Sequence, residues 1–389
     1  MTGAHSPSRT RPTAAHLHRR RFAVVGGVVA LVVAAVGFTM VGHPGATKVS
    51  ASPTTAPPSH PVASKLPLNV VSVTPVDGTS GVATDATVTV KFSVPLAPHS
   101  PTPTLSPPVA GSWQQVNPTT MSFVASAPLV PSSSETVTVP AGAGGVVGAA
   151  GQTLAQGATV HFGVAPGSTL RLQQLLAQLG YLPVSFTASG PLAAPQELAQ
   201  PQEGTFNWRF AEPAALVAQW TPGISNVLTK GAVMRFEDKH AMTTDGEAGP
   251  AVWSALLADV SAGAVDAEPY NYVLVTMAQP QHATVYSNGA AVYSTLANTG
   301  VAAAPTAPGT FPVFEHLTVT TMRGTNPDGS KYVDPGIPWV SYFNGGDALH
   351  GFVRGSYGFP QSVGCVEMPP ANAGVVYPYT PIGTLVTVA

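Results

Sequence analysis

The chain holds one cysteine, Cys365, within Ser362-Val363-Gly364-Cys365-Val366-Glu367-Met368, fifteen positions after His350. A thiol becomes a strong nucleophile when a neighbouring imidazole or oriented backbone dipoles favour its thiolate. One cysteine and one histidine, brought together by the fold, are the minimum equipment for acyl transfer through sulfur. Gly351 lets the chain turn away directly after the histidine, and Gly364 permits unusual φ and close approach of a substrate backbone. The amides around Gly364 and Cys365 are candidates to face a developing oxyanion. Ser362 offers its hydroxyl to the site or to nearby backbone. Tyr342, Phe343 and Asn344, just before His350, are candidate substrate contacts. So are Arg354, Tyr357 and Phe359 in the intervening segment. The bland alternatives are a small buried hydrophobe for the cysteine and a surface loop for residues 352–364. No clustered metal-ligand spacing occurs, so no metal is expected; no organic cofactor is expected either. His282 and His316 are read as structural or solvated.

The first 66 residues bear on where this chemistry happens. Residues 1–21 are polar and basic, ending in Arg19-Arg20-Arg21; residues 22–41 (FAVVGGVVALVVAAVGFTMV) carry no charge. About 20 apolar residues span a bilayer as a helix. Arginines at its start hold that end in the cytoplasm and put the rest outside. The expectation is a single transmembrane anchor; a cleaved signal peptide, with its shorter apolar stretch, is the alternative. Residues 42–66 are Pro/Ser/Thr/Ala-rich and read as an extended linker. One cysteine excludes any intramolecular disulfide, and an unpaired thiol outside the cell is a candidate reactive group. Lys+Arg number 16 against Asp+Glu 18, with only 9% charged residues overall. That balance gives no electrostatic case for nucleic acid.

Three regions follow. Residues 67–165 alternate short strands with turns: Val70–Val73, Thr87–Phe92, Met121–Val124, Thr136–Val139 and Ala158–Phe162. The pattern predicts an antiparallel β-sandwich with Trp113 in its core. The run TPVDGTSGVATDATVTVKFSVPL resembles bacterial immunoglobulin-like domains of the envelope, which implies a spacer.

Residues 168–260 change period. Leu172, Leu175, Leu176 and Leu179 recur at helical spacing and stop at Gly180. Residues 231–237 and 250–256 predict two more helices, flanking a turn at Thr244-Asp245-Gly246. The pieces LQQLLAQLGYLP and AVMRFEDKHAMTTDGEAGPAVWSALL resemble the two halves of a three-helix peptidoglycan-binding domain. Glu237 stands where that family has glutamine, and about 40 extra residues (185–225) part the halves.

Residues 268–389 return to strands, with a hairpin signal at Ser287-Asn288-Gly289 and a last strand at Gly383–Val388. The expected fold class is therefore multidomain and mainly β: an N-terminal transmembrane helix, an Ig-like sandwich, a small helical domain and a C-terminal β-rich catalytic domain.

Three landmarks in that last region, Pro305-Thr306-Ala307-Pro308-Gly309-Thr310-Phe311, Asp347-Ala348-Leu349-His350-Gly351 and Ser362-Val363-Gly364-Cys365, resemble the L,D-transpeptidase (YkuD-type) catalytic domain over about 120 residues. The resemblance implies that Cys365, activated by His350, attacks the bond between diaminopimelate and D-alanine in a peptidoglycan tetrapeptide stem. A thioester forms, and a neighbouring stem's amine resolves it into a 3→3 cross-link. It also implies that carbapenems acylate the same thiol. Val363 and Glu367 stand where the family often has histidine and arginine. A hydrolase on the same fold and a decayed wall-binding protein are the alternatives. A papain-like protease has the reverse residue order, with its cysteine near the mature N-terminus.

Overall fold

In the computed structural model, which describes residues 66–191 and 193–389, period-two runs become strands wherever one face meets a core. The basic tail, the expected membrane span and all but the last residue of the linker lie outside the described residues. Among the described residues no helix is long and apolar enough to cross a membrane.

Two four-stranded sheets form the first sandwich. One contains β1 (Val70–Thr74), β3 (Val88–Phe92), β5 (Gly111–Asn117) and β6 (Thr120–Ala125) in the order β1-β3-β6-β5. The other runs β2-β8-β7-β4, from β2 (Thr79–Val82), β4 (Thr104–Ser106), β7 (Ser134–Val139) and β8 (Ala158–Val164). Val88, Val90 and Phe92 point inward while Lys91 faces water, as the alternation requires. Two expectations shift. β2 and β8 pair in parallel, so the sandwich is not wholly antiparallel. Trp113 sits on the mostly exposed β5 and covers the edge of the core, its ring 5.6 Å from Phe123, instead of filling the centre.

The middle region has its three expected helices: α1 (Thr169–Gln178), α3 (Val227–Lys239) and α4 (Pro250–Ala262). Ser168 and Asn226 cap the first two by accepting from Arg171 N and Thr229 N. Gly180, at φ +87°, ends the first. The domain is nevertheless α+β, which corrects the reading of a purely helical unit. Residues 185–225 supply most of a hairpin, β9 (Val184–Ala188) with β10 (Gly204–Trp208), and the short α2 (Ala214–Val217). Phe186 and Phe206 pack against each other on this hairpin, with Trp220 beyond. The insertion also buries the polar side of α1: Arg171 Nε donates to Leu198 O at 2.8 Å and Gln174 Nε2 to Gln202 O at 2.7 Å.

The last region holds two sheets. The first, ordered β13-β12-β11-β19-β14, comprises β11 (Asn271–Thr276), β12 (His282–Ser287), β13 (Ala290–Leu296), β14 (Gly309–Pro312) and the C-terminal β19 (Leu385–Val388). Asn288 and Gly289 take positive φ in the β12–β13 turn. The second runs β15 (Glu315–Thr325), β16 (Lys331–Asn344), β17 (Asp347–Gly351), β18 (Val366–Met368). Val273, Val285, Phe343, Leu349, Val366 and Val386, from both sheets, share one core with the short α5 (Pro370–Val376). β19 is buried throughout because it lies between β11 and β14. Its Leu385, with Tyr272 of β11, belongs to the core of the middle region. α3 crosses so close that a Cβ at Gly231 would meet Gly383 O at 2.6 Å.

Candidate active site

The fifteen positions between His350 and Cys365 close into adjacency through a parallel ladder. β17 and β18 pair with Leu349 opposite Val366 and His350 opposite Glu367. Cys365, one residue before β18, therefore falls beside Ala348, one residue before Leu349. Residues 352–365 make the crossover.

Several bonds fix that crossover. Tyr357 OH accepts from Arg354 N at 3.0 Å and donates to Phe352 O at 2.6 Å. Arg354 reaches back in a fork to Glu367, Nε–Oε2 2.8 Å and Nη2–Oε1 2.7 Å, with its guanidinium 4.7 Å from the Phe352 ring centre. Thr299 O accepts from both Gln361 N and Ser362 N, and Val301 N donates to Ser362 O. Asn298 bridges Glu367 and Gly300 bridges Ser362. Thr306 Oγ1 in turn holds Gly300 N at 2.8 Å. The landmark at residues 305–311 and the segment before it thus act on the cysteine loop through backbone, without contributing a reacting group.

His350 is 2% exposed. Its Nδ1 lies 3.1 Å from Gly351 O. A carbonyl only accepts, so Nδ1 carries the proton and Nε2 keeps its lone pair. Burial pushes the imidazole below its ordinary pKa, while Gly351 O, Glu367 and Asp334 pull it back up and Arg354 pulls it down. The ring is a neutral base at pH 7.

The Cys365 thiol lies 3.5 Å from Gly346 O, to which it donates. Burial pushes its pKa up to about 12; the Ala348 backbone opposes this, and Asp347 and Glu367 add to it. Both shifts disfavour the charged forms, so they work against the expected resting thiolate. Burial outweighs the backbone bond.

Ser362 is buried; its Oγ donates to Cys365 O and accepts from Gly364 N at 3.2 Å. The Gly364 amide expected to face an oxyanion is thereby engaged, and Ser362 braces the nucleophile's own backbone. Gly364 itself is obligatory: φ is +126°, and a Cβ there would meet Asp347 Oδ1 at 2.5 Å. Asp347 escaped notice in the sequence. Its carboxylate accepts from Ala307 N at 3.2 Å and Asn344 Nδ2 at 3.3 Å, joining the two flanking landmarks under the cysteine.

A cavity of about 320 Å³ opens onto Cys365, His350, Ser362, Val363 and Glu367 on one wall, continued by Phe352, Arg354 and Gln361. The long β15–β16 hairpin contributes Met322, Asn326, Tyr332, Asp334 and Ile337 to the lining. Among the suggested substrate contacts only Arg354 lines it. Phe343 is 2% exposed in the inter-sheet core, Asn344 serves Asp347, and Tyr357 holds the loop. Tyr342, on the other face of β16 from Phe343, packs in the small outer cluster that includes Cys365 and stacks on Phe314. Phe359 is partly exposed and absent from the cavity wall. His316 is structural, stacked on Tyr377 at 3.7 Å and 3.1 Å from Ser341 Oγ. The hairpin wall carried no chemical signature in the sequence beyond its Asn326-Pro327-Asp328-Gly329 turn.

The two-sheet domain thus lines one open cavity with a single cysteine and an oriented imidazole. Residues 270–388 match the model of the L,D-transpeptidase catalytic domain (YkuD), and residues 64–164 that of the bacterial Ig-like domain (Big_5). Similar solved structures include the catalytic domain of the E. faecium L,D-transpeptidase, at 26% identity over 31% of this chain and 96% of that one, TM-score 0.29. An L,D-transpeptidase from Mycobacterium smegmatis is 14% identical over 83% of this chain and 100% of that one, TM-score 0.28. L,D-transpeptidase 3 from Mycobacterium tuberculosis, in complex with a faropenem-derived adduct, is 13% identical over 82% and 97%, TM-score 0.28. A search of curated proteins returned no match.

Proposed function

We propose that the chain is a peptidoglycan L,D-transpeptidase that forms 3→3 cross-links through a thioester on Cys365. The carrying observation is the neutral His350 imidazole, its tautomer set by Gly351 O, on the same cavity wall as the only thiol. Because both groups rest neutral, attack and proton transfer go together: as Sγ adds to the diaminopimelate carbonyl, its proton passes to Nε2. The Cys365 amide serves the oxyanion. Collapse breaks the C–N bond, and the imidazolium returns the proton to the departing D-alanine amine. A stem amine then attacks the thioester, and the sulfur leaves and is reprotonated. A carbapenem presents a strained acyl carbon to the same sulfur and is the proposed inhibitor class.

The charge pattern of residues 1–41 supports an anchored catalytic unit facing the cell wall. In this reading the Ig-like sandwich is a spacer, and the middle region, from its resemblance, contacts glycan strands. Incubation with purified tetrapeptide muropeptides tests the reaction. Transpeptidation yields dimers linked between diaminopimelate residues. Shortened stems alone would replace it with a hydrolase, and unchanged muropeptides would leave only wall binding.

A further inference from the structure

The cavity wall carries three charged side chains, Arg354, Glu367 and Asp334. Arg354 and Glu367 satisfy each other through two charge-assisted bonds. Asp334 takes no part in an ion pair or side-chain hydrogen bond among the described residues. It sits half-buried on β16, opposite Met322 of β15, and lines the same cavity as Cys365 and His350. Its negative charge is felt by His350, by Arg354 and by Tyr332. Of the cavity's three charged side chains, Asp334 is therefore the one without an ion-pair partner among the described residues.

We infer that Asp334 is the acceptor-binding residue, its carboxylate holding the ammonium of the incoming stem beside the thioester; this rests on the acyl-transfer reading and deepens it. An amine about to attack must lie between the acyl carbon and His350, the group that takes its proton. A carboxylate that lines the same cavity as that imidazole and the thiol is placed to reach an amine held there. Amines are cationic at neutral pH, so a free carboxylate there concentrates them. In the step itself the acceptor ammonium loses two of its three protons. One passes through His350 to the departing sulfur and the other goes to solvent. The C–N bond forms as the C–S bond breaks.

The test uses the full chain with a tetrapeptide donor and a diaminopimelate-containing tripeptide as acceptor. Asp334→Asn raises the half-saturating acceptor concentration about tenfold, the effect of one partly screened ion pair. It diverts the thioester to hydrolysis, and acceptor use falls severalfold more than acylation by a carbapenem. Asp334→Glu restores most of the acceptor affinity. Raising the salt weakens acceptor use by the wild type but not by Asp334→Asn. An Asp334→Asn chain with wild-type acceptor dependence overturns the inference alone. So does one in which carbapenem acylation and acceptor use fall together, which makes Asp334 a support of the fold or of His350. A wild-type chain that no donor or carbapenem acylates overturns the acyl-transfer reading and this inference with it.

Discussion

At the level of single residues, the site is a nucleophile kept quiet. Burial and the Asp347 and Glu367 carboxylates hold the Cys365 thiol near pKa 12, against an ordinary value of 9.0. A pKa raised that way leaves far less thiolate at neutral pH than in a free cysteine. Iodoacetamide alkylation of the native chain is accordingly far slower than that of a cysteine peptide at pH 7. It keeps climbing across pH 7–10, where the peptide rate levels off near its pKa. Alkylation as fast as the peptide's at pH 7 would mean the sulfur rests ionised. His350→Gln keeps the ring's size roughly but removes the base. Carbapenem acylation then falls by about 10²–10⁴-fold, the usual worth of a positioned base, as followed by β-lactam ring-opening absorbance. Asp347 shows why the sequence concealed part of this: a lone Asp next to Gly346 looks like turn chemistry, and its bonds come from residues 3 and 40 positions away.

Among the elements, the crossover from β17 to β18 depends on one forked ion pair, Arg354 with Glu367. Glu367 is nearly buried, and the Arg354 fork is what makes that tolerable. Arg354→Ala strands the carboxylate and costs about 2 kcal/mol, read as a lowered denaturation midpoint. Adding Glu367→Gln recovers part of the loss, because a neutral amide is cheaper to bury than an unpaired charge. No recovery in the double variant would show that the loop depends on something other than this pair. The pairing was readable as a sign contrast, Glu where arginine is usual and Arg 13 positions before it. The parallel ladder that makes it possible was not, since register between distant strands leaves no local signature. Glu237 of α3 offers a second, independent test. Burial raises its pKa to about 7, although Gly246 N donates to it at 2.9 Å and so favours the charged form. With a folded pKa above the unfolded 4.5, its contribution is full below pH 4.5 and is lost as pH rises to 7. Glu237→Gln keeps an acceptor for Gly246 N without a charge. It raises Tm at pH 8 by about 2–4 °C per kcal/mol recovered and lessens the fall between pH 4.5 and 7; an unchanged profile would remove Glu237 from the account.

Across the whole molecule, the catalytic sheets are not self-sufficient. Tyr272 and Leu385 are buried against the middle region, with α3 approaching β19 through Gly231 and Gly383. A piece comprising residues 268–389 therefore exposes an apolar sheet face and aggregates or melts well below one comprising 166–389. Removal of the Ig-like sandwich leaves carbapenem acylation intact. Equal melting temperatures for the two pieces would show the shared core to be dispensable. The sequence declared three of these regions by their changes of period, because helices and strands impose different spacings on apolar residues. It was silent on the shared core, which joins a helix near residue 231 to a strand near residue 385. It was silent too on the insertion, whose hairpin buries the polar side of α1. The central claim is that acyl groups pass through one sulfur. Intact-protein mass after brief exposure to a defined tetrapeptide donor, without acceptor, tests it most directly. The account predicts a wild-type adduct equal to the donor less D-alanine, absent from Cys365→Ala; an unmodified wild type, or an adduct that survives in Cys365→Ala, would contradict it.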